Sequence, residues 1–311
     1  MINDRLHIAG CVLGAVVAGY ILLPAVFGSG RPKLDRYTTG LVNTGSDCYA
    51  NSTFQALSAL EHLAAWLADR AGPGPWTQAL GEALGELRVE GAYPRARSIW
   101  PLLRVMEGVL GAQLGRGQQD AHELLVYALD LLETEGGRLP FAFKTADTVR
   151  CLACGHASTT ERDSLVLERQ PGEAIMAPQS EIVDGFRCEA CGRLTQIAKS
   201  SRLTELPDVL AVHINRSTFA GESFRNNGAT DVPLRLGAFA LRAVVFHHGG
   251  HTRGHYTCAR RRARGWWLIS DDDVREASDA QIRGRTTEAY LLFFERDQVA
   301  SSVAQNVKLA N

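Results

Sequence analysis

Two Cys-x-x-Cys pairs, Cys151-Leu152-Ala153-Cys154 and Cys188-Glu189-Ala190-Cys191, constrain this chain more than any other feature. They ask four positions to meet at one point. Thiolates at this spacing suit a closed, tetrahedral zinc site, and such a site leaves no open position for water, so the metal would be structural. Four incidental thiols or a redox pair are the competing readings. Seven cysteines in 311 residues are too few for a disulfide scaffold. In a reducing compartment the pairing suggests metal rather than cystine. His156 is a spare neighbour that reads as a surface histidine.

Residues 8–27 (IAGCVLGAVVAGYILLPAVF) carry no charge. At 1.5 Å per residue a helix of that length reaches about 30 Å, the thickness of a bilayer core. The expectation is a membrane anchor over 8–28 after a tail at 1–7; a cleaved signal peptide or a buried helix would be the alternative. Arg5 precedes the run, and Arg31, Lys33 and Arg36 follow it. That bias places the body in the cytosol. Gly28-Ser29-Gly30 and Arg31-Pro32-Lys33 open a linker over 29–39. One folded body is expected over 40–296, with a flexible tail at 297–311.

Helical spacing predominates early. Phe54, Leu57 and Leu60 recur on one face, with Ala64 one step on, and 120–133 (DAHELLVYALDLLE) is amphipathic with Asp120 as N-cap. Strand-like runs follow at 209–214, 241–247, 256–259, 266–269 and 290–294. Helices first and strands second indicate an α+β chain. Thirty-three basic residues against 34 acidic ones give a net charge of −1. No basic field exists to hold nucleic acid, and the apolar content excludes disorder.

The chemistry concentrates at Cys48. Glycines and the pair Ser46-Asp47 lead into a helix whose first turn carries this cysteine. Unpaired N–H groups there favour the thiolate, the nucleophilic form. The bland alternative is a small buried residue at a helix start. A nucleophile needs a base, and His255 opens a strand beside Gly254. The end of the next strand, 270–274, offers polar groups to orient an imidazole.

Five segments, in order, resemble the ubiquitin-specific protease family of papain-like deubiquitinases. Residues 40–52 resemble its cysteine box, and Gly117-Gln118-Gln119-Asp120 its QQD helix. Residues 210–216 are similar to its palm strand, 244–274 to its histidine box, and 289–294 to its final strand. The resemblance implies a thumb–palm–fingers fold, with a zinc-tipped fingers region over about 145–205. It implies Cys48 as nucleophile, His255 as general base, Asn43 as oxyanion donor and Asp120 as a contact for ubiquitin's C-terminal tail. The third catalytic residue, normally Asp or Asn four places before a valine, is here Ser270, with Asp271 next. That departure, together with residues 8–28, is similar to the membrane-anchored mitochondrial branch of the family.

The activity expected is hydrolysis of the isopeptide bond after ubiquitin's C-terminal glycine on membrane-associated proteins. The expected location is the mitochondrial outer membrane facing the cytosol, with the endoplasmic reticulum as alternative. The partners expected are ubiquitin, its conjugates and the bilayer. Ser270 is neutral, so Asp271 is expected to supply charge from behind it. Asp47 stands where the family has threonine, and a carboxylate beside the thiol raises its pKa. These two departures motivate a second reading, a catalytically weak or dead ubiquitin-binding membrane tether. Arg260, Arg261, Arg262 and Arg264 read as a solvated turn, and Cys258 as core.

Overall fold

The computed structural model describes residues 38–70, 74–89, 96–114, 119–220, 222–250, 254–263 and 265–297, with backbone alone for 218–220 and 222–225. The expected anchor at 8–28 and most of the linker and tail lie outside them. Among the described residues no helix is long and apolar enough to cross a membrane.

After a short strand β1 (Leu41–Val42), the first half is helical. It comprises α1 (Cys48–Leu57), α2 (Glu61–Asp69), α3 (Pro75–Arg88), α4 (Trp100–Leu110) and α5 (Ala121–Gly136), with β2 (Arg97–Ser98) paired in parallel to β1. The apolar spacing that runs through Phe54, Leu57 and Leu60 spans two helices rather than one, because the chain breaks at Ser58–Leu60. All ten residues of α1 are buried. Its polar members are tolerated there because most find partners: Thr53 Oγ1 donates to the Tyr49 carbonyl at 2.7 Å, and Gln55 Nε2 to that of Thr39 at 2.7 Å.

Four strands then form an antiparallel sheet in the order β4-β3-β7-β6. They are β3 (Phe143–Cys151), β4 (Ala157–Ser164), β6 (Gln179–Arg187) and β7 (Leu194–Glu205). The larger sheet takes β5 (Val166–Arg169), β8 (Val209–Ile214), β11 (Arg235–Leu236), β12 (Phe239–Gly249), β13 (Gly254–Arg262), β14 (Gly265–Ser270), β15 (Asp273–Ala277) and β16 (Ala289–Arg296). Its order is β15-β14-β13-β12-β16-β8-β5, with β11 on β12. A hairpin of β9 (Ser217–Ala220) and β10 (Glu222–Arg225) and a short helix α6 (Asp279–Arg283) complete the fold.

The larger sheet is covered on both faces. Val209 and Ala211 of β8 join the core shared with the helices, while Leu210, Val212 and Ile214 join a second core with Phe143, Trp266 and Ile282. Burial on both sides is why this strand reads as a nearly continuous apolar run, interrupted only by His213. One expectation fails at the β13–β14 hairpin, which is not wholly a solvated turn. Arg260 is fully buried, donating to the Leu87 carbonyl at 3.1 Å and to Ser58 Oγ. Arg262 donates to the carbonyls of Leu87 and Arg88 at 2.7 and 3.0 Å. These oxygens lie at the C-terminus of α3, where the helix dipole favours cations.

Candidate active site

Cys48 is the first residue of α1, which packs against β13. Burial pushes its thiol above the ordinary value. The Tyr256 N–H bonds to the sulfur and pulls it back, Asp271 pushes it up, and the N–H groups of Tyr49 and Cys48 pull it down. The last two are the helix-start donors that the sequence places there. Asp47 is not among the groups that act on the thiol. It occupies the N-cap position without capping, and its Oδ2 accepts from Thr44 N and Oγ1 at 2.8 and 2.6 Å.

His255 is the neighbour of Tyr256 on β13. His255 Nε2 lies 2.9 Å from Ser270 Oγ and 3.9 Å from Asp271 Oδ2. With Nε2 so engaged, Nδ1 is the nitrogen left to take a proton. Ser270 therefore meets the imidazole directly, and Asp271 stands behind it. Gly254 is flanked closely by a side chain: a Cβ there would meet the His247 ring.

Asp271 is the hub of the site. It has a positive φ of 55°. Its Oδ2 accepts from Asn43 Nδ2 at 2.9 Å and its Oδ1 from Asn51 Nδ2 at 2.8 Å, while its carbonyl accepts from Leu41 N at 2.9 Å. Asn43 also folds its own loop, its Oδ1 accepting from Gly45 N and Asp47 N at 2.8 and 3.1 Å. Its amide nitrogen is thus held by Asp271 in this structure. At Gly40 the two loops touch: a Cβ would lie 2.6 Å from Asp272 Cα and 2.9 Å from Asp271 O. The sequence reading assigned no role to Asn51 or Gly40. The available signal for Asn51 was an amide one turn after the nucleophile in a helix with no exposed face.

Asp120 caps α5 as expected, accepting from His122 N at 2.7 Å, and both its oxygens accept from the Tyr290 hydroxyl at 2.7 Å. Tyr290 in turn packs against His213, His247 and Tyr256. Nearby, Glu168 lies 3.2 Å from His122 Nε2 and 2.8 Å from His213 Nδ1. The three could share a metal by distance. However, the two rings stack at 3.8 Å and 11°. An imidazole binds a metal in its own ring plane, and stacked rings share no such point. The trio is a clasp between α5 and the large sheet.

The four sulfurs of Cys151, Cys154, Cys188 and Cys191 lie within 4.8 Å of one another at the far end of the small sheet. Matching turns present them: Gly155 N donates to the Cys151 carbonyl at 2.9 Å, and Gly192 N to that of Cys188 at 2.8 Å. The Ala153 and Cys154 N–H groups point at the Cys151 sulfur. Four converging thiols with backbone donors on the sulfur fit a zinc ion.

Comparison with known proteins agrees with this geometry. The family model described as ubiquitin carboxyl-terminal hydrolase matches residues 39–294. Ubiquitin carboxyl-terminal hydrolase 36 of Drosophila simulans is 25% identical, over 88% of this chain and 33% of its own length. The chain therefore spans about a third of that relative. Ubiquitin carboxyl-terminal hydrolase 12 of Salmo salar is 26% identical, over 92% of this chain and 96% of its own. Among solved structures, the SAGA Ubp8/Sgf11/Sus1/Sgf73 DUB module bound to ubiquitin aldehyde has a chain of similar fold. Its TM-score is 0.69 at 18% identity, covering 93% of this chain and 76% of that one.

Proposed function

The chain belongs to the ubiquitin carboxyl-terminal hydrolase family, and from that premise we propose that it is a thiol-dependent deubiquitinase. One observation carries the reading: the helix-start Cys48 takes the Tyr256 N–H, and the next residue back, His255, is oriented by Ser270 with Asp271 behind it. Cys48 Sγ attacks the carbonyl carbon of ubiquitin's C-terminal glycine. His255 Nδ1 takes the thiol proton and returns it to the lysine amine as the C–N bond breaks. Water, activated by the same nitrogen, then cleaves the thioester to a carboxylate and the free thiol. The oxyanion is stabilised by the backbone N–H groups at the start of α1 and by the second N–H of the Asn43 amide, the first being given to Asp271. Asp120 holds the ubiquitin tail. Cys151, Cys154, Cys188 and Cys191 would hold a zinc ion, which would supply a structural cross-link and no chemistry.

The silent-tether alternative drew on Ser46-Asp47 and Ser270. The Asp47 carboxylate is bound to Thr44, which weakens its first motive. The same proposal makes residues 8–28 a membrane anchor and puts the substrates on the mitochondrial outer membrane, as in the anchored branch of the family, with the endoplasmic reticulum as the alternative. Alkaline extraction and imaging of the full chain test that part. Turnover of a fluorogenic ubiquitin C-terminal reporter tests the chemistry. Cys48→Ala is expected to abolish it, and equal turnover by this variant would refute the mechanism.

A further inference from the structure

Asn51 sits one turn after Cys48 and is 2% exposed. Its Nδ2 donates to Asp271 Oδ1 at 2.8 Å and to the Val42 carbonyl at 3.2 Å. Its Oδ1 is buried and meets no donor. An unmet buried acceptor is costly, so packing alone favours an apolar residue at this position. The amide is retained at a cost to the fold, and the group it faces is the carboxylate nearest the imidazole.

That carboxylate needs holding. Ser270 Oγ can accept a hydrogen bond from the His255 Nε2–H, but a neutral hydroxyl does not balance the charge that appears when Nδ1 takes the Cys48 proton. Asp271 Oδ2 stands 3.9 Å from Nε2, beyond a hydrogen bond and close enough to act by charge. His255 on β13 and Cys48 at the start of α1 are the titratable groups facing it. Asn43 holds one of its oxygens and Asn51 the other. Asn43 lies on a loop, whereas Asn51 is anchored in a buried helix.

Resting on the thiol-hydrolase reading above, we propose that Asn51 is a positioning residue for the reaction. It fixes the Asp271 carboxylate at the distance from which that carboxylate supplies the charge Ser270 lacks. Asn51 is buried under the loop and touches no substrate, so its loss reduces kcat and leaves KM unchanged. Replacing it by leucine keeps the branched shape, at a somewhat larger volume, and removes the hydrogen bond. Replacing it by aspartate makes the outcome depend on protonation. A neutral carboxyl can donate to Asp271 as the amide does, while an ionised one repels it.

The experiment measures kcat and KM of the full chain on a ubiquitin C-terminal reporter from about pH 5 to pH 9, with the melting temperature of each variant. The expected wild-type kcat rises with pH to a plateau. Asn51→Leu is expected to lose roughly 10- to 100-fold in kcat, the range for a hydrogen bond to a charged group, with KM unchanged. Asn51→Asp is expected to come nearest the wild type at the acid end and to fall further below it as pH rises, so that its kcat relative to the wild type reverses the trend. That reversal is read within one folded protein, so it stands even if the leucine variant melts early. A wild type without Cys48-dependent turnover overturns the thiol-hydrolase reading and this inference with it. An active wild type whose two Asn51 variants keep its kcat and its pH profile overturns the inference alone.

Discussion

Gly40 shows how a single residue sets the spacing of this site. A methyl group there would press on the backbone of Asp271 and Asp272 at 2.6–2.9 Å. Backbone cannot give way as a side chain end can, so Gly40→Ala forces the two loops apart. The expected cost is about 1–3 kcal/mol, as for an overpacked core, seen as a lower melting temperature. The same shift moves Asp271 away from His255, so kcat is expected to fall at unchanged KM. A variant with wild-type melting and wild-type kcat would show that the two loops do not fix each other. At this scale the sequence was informative where residue chemistry is distinctive. Cys48, His255 and Ser270 stand out by type and order. Gly40 and Asn51 do not, because their roles come from contacts made across 231 and 220 positions of chain (271 minus 40, and 271 minus 51).

The elements differ in how openly they are written. The α5 helix was legible because its apolar residues repeat at helical spacing and Asp120 caps it. The small sheet was not. Every residue of β6 after the first is exposed, and β4 is exposed until its last position. Strands wet on both faces have no alternation to read. Their register comes from pairing, as between Thr148 and Thr159 or Asp147 and Ser201. The clasp joining α5 to β5 and β8 makes a prediction at this scale. Burial pushes the Glu168 carboxyl up, but the His122 and His213 N–H groups outweigh it and hold it at about 2. A folded value below the ordinary 4.5 means a stabilisation that is present above about pH 4.5 and lost as pH falls towards 2. Glu168→Gln removes that dependence. Its melting temperature is expected to lie below the wild type at neutral pH and to converge with it in acid. A constant gap across that range would mean that the clasp does not act through ionisation.

Across the whole molecule, the helical half carries Cys48 and the large sheet carries His255. The two meet because α1 packs on β13 and the β1 loop reaches Asp271. The small sheet stands apart from that junction and ends in the four cysteines. Replacing Cys188 by serine is therefore expected to lower bound zinc and to weaken ubiquitin binding, while iodoacetamide still alkylates Cys48 at the wild-type rate. Metal analysis, a binding titration and peptide mapping separate these effects. Loss of Cys48 reactivity would instead mean that the two sheets fold as one unit. The order of motifs along the chain was readable from sequence, since each is local. Their meeting was expected from the family resemblance rather than from the residues themselves, because it depends on the two-sided burial of the large sheet.

The claim on which the rest depends is that Cys48 is a nucleophile aimed at the C-terminus of ubiquitin. It is tested most directly by incubating the full chain with ubiquitin carrying a C-terminal electrophile, then measuring the intact mass and mapping the modified peptide. One adduct, placed on Cys48 and absent from Cys48→Ala, is the expected result. Ubiquitin that binds without forming an adduct, or an adduct carried by any other cysteine, would contradict it.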